Sequence, residues 1–144
     1  MKFKLNDGQV ERFSRQIILK NIGSLGQKKI IQSKVLIVGM GGLGCPAAEF
    51  LIRAGVGFLG IMDDDRVDIS NIHRQSLYDT QDLKKFKVQV AQKKLKKINP
   101  KTNIISYKIR AKKNNLKEII DKFDYVVDGS DNFETKFLLN DLCI

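Results

Sequence analysis

Two groups of residues in this sequence have types and spacings suited to chemistry on a phosphate. In the first, Gly39-Met-Gly41-Gly42-Leu-Gly44 has the G-x-G-x-x-G spacing of a turn that brings backbone close to a phosphate. It follows an apolar run, Lys34-Val-Leu-Ile-Val38, and opens a stretch with helical spacing. A helix starting there offers unpaired N–H groups and about half a positive charge to an anion. Asp63 ends the next apolar run, 19 residues after Gly44, where a carboxylate accepts hydrogen bonds from ribose hydroxyls. Asp64 is expected to point the other way on a pleated chain, toward solvent, and Asp65 suits a ligand or a structural role equally.

The second group is Ser70-Asn-Ile-His-Arg-Gln75, Lys87, and Asp128-Gly-Ser-Asp131-Asn132. Arg74 and Lys87 near phosphates, with Asp131 able to hold Mg²⁺, fit nucleotidyl transfer, in which charge is offset at the attacked and departing phosphates. Any one of these three alone reads as a surface charge; the ordered set carries the reading. A dinucleotide enzyme shares the glycine turn and Asp63 but needs no cations around a triphosphate, so an NAD-dependent oxidoreductase is the alternative for the first group alone. His73 reads as a loop former, Cys45 as a small packing residue at a helix start, and Cys143 as core.

The elements needed to position these residues alternate. Residues from Asp7 to Lys34 read as two short helices broken near Asn21–Gly23. Lys34–Val38 is a buried parallel strand, and a helix runs from Gly42 to about Gly55 with Leu43, Ala47, Phe50, Leu51 and Ala54 on one face. Phe58–Met62 is a strand, Val88, Ala91, Leu95 and Ile98 mark a helix stopped at Asn99–Pro100, and Asn103–Ile109 is a strand. Leu116, Ile119, Ile120 and Phe123 mark a short helix, Asp124–Asp128 a fourth strand, and a last helix begins near Asn132. The expected fold is α/β, a Rossmann-like, doubly wound and mostly parallel sheet with an N-terminal helical arm. Ligands of such sheets collect beyond the carboxyl ends of the strands, where the glycine turn, Asp63 and Asp131 all fall.

The 144 residues, 42% hydrophobic and 29% charged, suit one soluble domain with its own core. No apolar run approaches the roughly 20 residues of a membrane span, and the first ten residues lack a signal-peptide stretch, so no membrane association and a cytoplasmic protein with two reduced thiols are expected. The net charge of +10 is concentrated: residues 84–122 hold 14 Lys and Arg against Glu118 and Asp121. Most of these read as solvated faces (Lys93, Lys94, Lys96, Lys97) or loops (Lys112, Lys113). Aromatic residues are not interleaved with them, which argues against nucleic acid.

Arg12-Phe-Ser-Arg15-Gln16, Gly39 to Gly44, Ala54-Gly-Val-Gly57, Asp63 to Asp65, Ser70 to Gln75, Ile98-Asn-Pro100 and Asp128 to Asn132 occur in the order that resembles the ThiF/MoeB family, the bacterial adenylyltransferases related to ubiquitin-activating enzymes. The resemblance implies use of ATP and Mg²⁺ to adenylate the C-terminal glycine carboxylate of a ubiquitin-like sulfur carrier protein, for molybdenum cofactor or thiamine biosynthesis. It implies nucleotide contacts from Gly39, Gly41, Gly42, Gly44, Asp63, Asp65, Ser70, Asn71, Arg74, Gln75, Lys87, Asp131 and Asn132. Gly42 backs the phosphates, Asp63 holds the ribose, Asn71 and Arg74 meet the phosphates, Lys87 offsets their charge, and Asp131 is the metal ligand. Arg15 corresponds to an arginine inserted into the partner's site, which implies a homodimer. The alternatives within the family are a non-catalytic partner subunit and a tRNA-modifying, threonylcarbamoyladenosine dehydratase-like member.

Residues 1–33 are thus expected as the helical arm and 34–144 as an ATP-binding domain incomplete at its C-terminus. The resemblance places structural Zn²⁺, on two C-x-x-C pairs, in a second half that these residues do not include. The expected consequence is a sheet edge left uncovered. One departure lies at Lys84-Lys-Phe-Lys87, where the family often has Gly and Pro, so Lys84 and Lys85 compete with Lys87 for the assignment.

Overall fold

Lys34–Val38 (β1), Phe58–Met62 (β2), Asn103–Tyr107 (β3) and Tyr125–Asp128 (β4) pair in parallel, in the order β3-β2-β1-β4, in a computed structural model that describes residues 4–144. Three helices precede the sheet: α1 (Asp7–Arg12), α2 (Ser14–Ile17) and α3 (Gly23–Gln32). Four more alternate with the strands: α4 (Gly44–Ala54), α5 (Lys87–Ile98), α6 (Lys113–Ile120) and α7 (Phe133–Cys143). The chain winds outward from β1 to β3, then returns to place β4 on the other side of β1, and this reversal opens a crevice at the carboxyl ends of β1 and β4.

Both sheet faces are covered, which is why the strands read as apolar runs and not as alternation. Val35, Ile37, Leu59, Ile61 and Ile104 pack with Cys45, Ala48 and Ile52 of α4 and Val88, Ala91 and Leu95 of α5. Leu36, Val38 and Met62 pack on the opposite face with Leu116, Ile119 and Ile120 of α6 and Leu139 of α7. The α/β, Rossmann-like, parallel architecture read from the sequence is the observed one.

Several local expectations are corrected. Of the predicted face of α4, Leu43 and Phe50 are 68% and 69% exposed and Ala47 and Leu51 are only half-buried at the edge of the core, while Cys45, Ala48 and Ile52 are buried. Both stripes are apolar, so periodicity cannot separate them; the one with small residues admits the closer helix–sheet approach. The arm holds three helices, because Phe13 bends the chain between α1 and α2 and buries its ring. β3 ends at Tyr107, leaving Ile109 exposed, and Lys113 lies in the first turn of α6 and not in a loop. Cys143 is exposed, since α7 packs through Leu138, Leu139 and Leu142.

The arm is tied to the end of α4. The last carbonyls of a helix lack intrahelical partners, and Ala54 O accepts from Gln16 Nε2 (3.2 Å) and from buried Gln27 Nε2 (2.9 Å). The Arg12 guanidinium donates to Ile98 O at the end of α5. Phe13 lies over Gly55, whose φ of 98° ends α4 in the left-handed region.

Candidate functional site

The four glycines of the turn divide into two pairs. At Gly39, φ is 93°, and a Cβ would stand 2.6 Å from Gly129 O. A Cβ on Gly44 would stand 1.8 Å from Gly39 O. These two glycines are required by the crossing of the turns after β1 and β4, where Gly39 N donates to Met62 O (2.8 Å) and Gly129 N to Val38 O (2.8 Å). At Gly41 and Gly42 the nearest atoms to a Cβ are 3.6 Å away, on Gln75 and Arg74, an ordinary contact. Nothing within the fold demands glycine there. Both line a cleft of ≈ 780 Å³ at the carboxyl edge of the sheet, where bare backbone admits close approach of a ligand.

Asp63, at the end of β2, is half-buried and lines the cleft. Its Oδ2 accepts from Met40 N (2.7 Å) and its Oδ1 from Asp65 N (2.8 Å). Burial pushes its carboxyl above the ordinary value, and the two N–H donors oppose this only in part. Met40 O accepts in turn from Tyr78 Oη (2.9 Å) and Cys45 Sγ (3.3 Å). Burial raises both the Cys45 thiol and the Tyr78 phenol, so Cys45 braces the turn as a neutral thiol.

Lys87 opens α5 with its side chain only 5% exposed, and its Nζ donates to Asp65 Oδ2 at 2.8 Å. Its backbone N donates to Asp65 O (3.0 Å), part of a short antiparallel ladder that also joins Val67 N to Lys85 O (2.9 Å) and Lys84 N to Val67 O (2.9 Å). Arg66 and Lys108 flank the Phe86 ring of this ladder at 3.8 and 4.2 Å. Of the three lysines, only Lys87 lines the cleft. Lys84 carries a φ of 65°, the left-handed conformation that favours glycine. The carboxylates of Asp63, Asp64 and Asp65 approach within 4.8 Å of one another, but the Lys87 ammonium already offsets charge there.

Arg74 is exposed on the cleft, with Nη1 donating to Ser70 O (3.1 Å) and its stem against Gly42. Asn71 and buried Gln75 also line it, and Gln75 Oε1 has no hydrogen-bond partner among the described residues. Ser70 faces elsewhere: its N and Oγ donate to Asp68 Oδ1 (2.8 and 2.6 Å), capping a 3₁₀ turn over Ile69–Asn71. At the fourth strand, Asp128 Oδ1 accepts from Ser130 N (2.9 Å) and Oγ (2.6 Å), and Oδ2 from Lys136 Nζ (3.1 Å). Burial pushes the Asp128 carboxyl up, but the Ser130 and Lys136 donors outweigh it and hold the group below its ordinary value. Asn132 Oδ1 caps α7 by accepting from Thr135 N (2.9 Å). Asp131 is exposed on the cleft, and its carboxylate has no side-chain partner among the described residues. That leaves its lone pairs for a cation, a donor set that suits Mg²⁺.

The cleft therefore gathers Gly39, Gly41, Gly42, Asp63, Asp65, Asn71, Arg74, Gln75, Lys87, Asp131 and Asn132. Gly44 and Ser70 are not among its lining residues, and Arg15 lies exposed on α2 with no hydrogen bond or ion pair among the described residues. Sequence reasoning missed Tyr78, Ser130, Thr135 and the segment Ile109–Ala111, which lines the cleft beyond β3. The rule that ligands collect at carboxyl ends applies to β3 as much as to β2 and points to that segment. Among the described residues, no helix is long and apolar enough to cross a membrane.

Known proteins share both the sequence and the fold of this chain. The chain is 43% identical over 136 residues to a sulfur carrier protein adenylyltransferase of Thermus thermophilus, covering 94% of this chain and 50% of that protein. It is 43% identical over 141 residues to the adenylyltransferase and sulfurtransferase MOCS3 of Aedes aegypti, covering 98% of this chain and 32% of the relative. The chain thus spans half or less of the length of these curated relatives. Among solved structures, the E. coli tRNA N6-threonylcarbamoyladenosine dehydratase in complex with ATP superimposes with a TM-score of 0.90 at 25% identity, over 98% of this chain and 58% of that one. E. coli MccB with ATP superimposes with a TM-score of 0.80 at 26% identity, over 92% and 41%. The sequence pattern of the ThiF family matches residues 13–144, and the chain belongs to that family.

Proposed function

We propose that this chain is the ATP-binding part of an enzyme that adenylates the C-terminal carboxylate of a ubiquitin-like sulfur carrier protein. One observation carries the reading: glycines that the fold does not require, Asp63, two cations and an unpartnered carboxylate line the same cleft. The names and identities of the sequence relatives support the same reaction class and carrier. In this reading the N–H groups around Gly41 and Gly42 meet the phosphates, Asp63 accepts from the ribose hydroxyls, and Arg74 and Lys87 offset charge on the triphosphate. Asp131 holds Mg²⁺, which when bound offsets further charge on the phosphates.

A carboxylate is already a nucleophile, so no Ser, His or Cys need be activated. A carrier carboxylate oxygen bonds to the α-phosphorus, the bond to the bridging oxygen of the β-phosphate breaks, and pyrophosphate leaves. The barrier is repulsion between two anions, and the cations of the cleft are placed to lower it. Arg15, whose side chain has no partner among the described residues, acts in the site of a second copy in this reading, making the enzyme a homodimer. The full-length protein is expected to catalyse ATP–pyrophosphate exchange only when the carrier is present. Exchange unchanged in Asp131→Ala removes the metal role.

A second reading, action on a modified tRNA adenosine, draws on the structural likeness to the tRNA dehydratase at 25% identity. The 43% identity to carrier adenylyltransferases favours the first. ATP hydrolysis stimulated by tRNA and not by a carrier protein reverses that order.

A further inference from the structure

The protein has six arginines, and four are engaged within the chain. Arg12 donates to Ile98 O, Arg53 pairs with Glu49, Arg66 donates to Lys84 O, and Arg74 donates to Ser70 O. Among the described residues, only Arg15 and Arg110 make neither a side-chain hydrogen bond nor an ion pair. Arg15 lies on the arm, whereas Arg110 lines the cleft. A long cation with five donors, left uncommitted at a cleft wall, is available to a ligand.

Its surroundings say which part of the ligand. Arg110 follows β3, and β3 is the neighbour of β2: Asp63 N donates to Tyr107 O at 3.2 Å, so the segment Ile109–Ala111 begins beside the ribose-facing carboxylate. The segment is braced, since Asn115 Nδ2 donates to Arg110 O (3.0 Å) and Asn115 Oδ1 accepts from Lys112 N (3.0 Å). Arg110 stands in the chain between two apolar residues, Ile109 and Ala111, which line the cleft as Met62 does. The phosphate-directed groups, Arg74 and Lys87, belong instead to the loop between β2 and α5 and its end. An apolar step carrying a planar cation suits the face of an aromatic base and not a phosphate.

We infer, on the reading that the cleft takes ATP, that Arg110 is a base-recognition residue whose guanidinium lies over the adenine ring, with Ile109 and Ala111 forming the apolar step around it. Neither the sequence motifs nor the ion pairs of the fold account for this arginine otherwise.

The test measures binding of AMP, ADP, ATP and inorganic tripolyphosphate to the full-length protein by calorimetry, in wild type and in Arg110→Ala. A contact with the base is common to all three nucleotides. Arg110→Ala is therefore expected to weaken AMP, ADP and ATP by one shared factor of about tenfold, with tripolyphosphate binding and the thermal midpoint unchanged. A loss that grows from AMP to ATP, or that includes tripolyphosphate, makes Arg110 a phosphate ligand and overturns the inference. Unchanged affinity for all three nucleotides overturns it as well. Wild-type protein that binds none of the three overturns the nucleotide reading itself, and this inference with it.

Discussion

The glycine turn and the N-terminal arm are both dense motifs, and in each the residues divide into those the fold consumes and those it leaves over. In the turn, Gly39 and Gly44 are fixed by backbone crossing at distances no Cβ tolerates, while Gly41 and Gly42 have room to spare. In the arm, Arg12, Phe13 and Gln16 are spent on the ends of α5 and α4, while Arg15 is exposed and unengaged among the described residues. The turn keeps its surplus residues in a cleft of the same chain, whereas Arg15 of the arm is not among the residues that line that cleft. In the proposed reading the turn therefore meets its ligand within one chain, and Arg15 acts at the cleft of a second copy.

The comparison breaks most sharply at Gly44. Gly44→Ala is expected to lower stability by about 3 kcal/mol or more, because its Cβ meets backbone. Gly42→Ala is expected to stay within about 0.5 kcal/mol yet to weaken ATP by tenfold or more, roughly the value of a lost charge-assisted contact. Denaturant titration paired with calorimetry separates the two; equal destabilisation by both variants removes the distinction. The arm predicts the same split. Phe13→Ala costs about 3 kcal/mol through its buried ring. Arg15→Ala leaves the unfolding midpoint in place but lowers carrier-dependent exchange about a hundredfold. Mixing Arg15→Ala with Lys87→Ala then recovers part of the exchange through hybrid dimers, and no recovery places Arg15 in its own chain's chemistry.

Two carboxylates at the carboxyl edge of the sheet are expected to titrate in opposite senses. Asp63 sits above its ordinary value, so protonation begins at higher pH than for a free aspartate. The affinity advantage of ATP over its 2′,3′-dideoxy analogue should therefore disappear on acidification before an ordinary carboxylate titrates. Protonation of Asp63 meanwhile relieves a burial cost in the ligand-free fold, so its own contribution to stability improves as pH falls through that raised value. Asp128 sits below its ordinary value, so the stability it contributes is present above the unfolded pKa and is lost as pH falls through the lower, folded one. Carboxyl NMR titration of the two side chains reads both signs. The smallest effect is at Lys84, where Lys84→Gly relieves a left-handed conformation and is expected to gain about 0.5 kcal/mol without changing ATP affinity.

Much of this was legible in the letters. Four apolar runs, the intervening periodicities at Val88–Leu95 and Leu116–Ile120, and the glycine turn were enough to specify a parallel sheet and its carboxyl edge. The residues that resisted did so for physical reasons. Leu43 and Phe50 belong to an apolar stripe as regular as the buried one, and only packing against the sheet chose between them. Ser70, Ser130 and Asn132 sit where a polar side chain serves either a ligand or the nearest backbone and carboxylate. In the fold Ser70 and Ser130 bond Asp68 and Asp128, and Asn132 caps α7. Arg110 and Tyr78 lie in no motif, and only the three-dimensional placement of their neighbours gives them meaning.

The most direct test of adenylation follows the two ends of ATP separately. Full-length protein is incubated with carrier and with ATP labelled at either the α- or the γ-phosphate, and the carrier is then isolated. Attack at the α-phosphorus transfers the α label to the carrier as one adenylyl group and leaves the γ label in pyrophosphate. Transfer of the γ label, or ATP turnover that never marks the carrier, contradicts the assignment of this cleft to carrier adenylation.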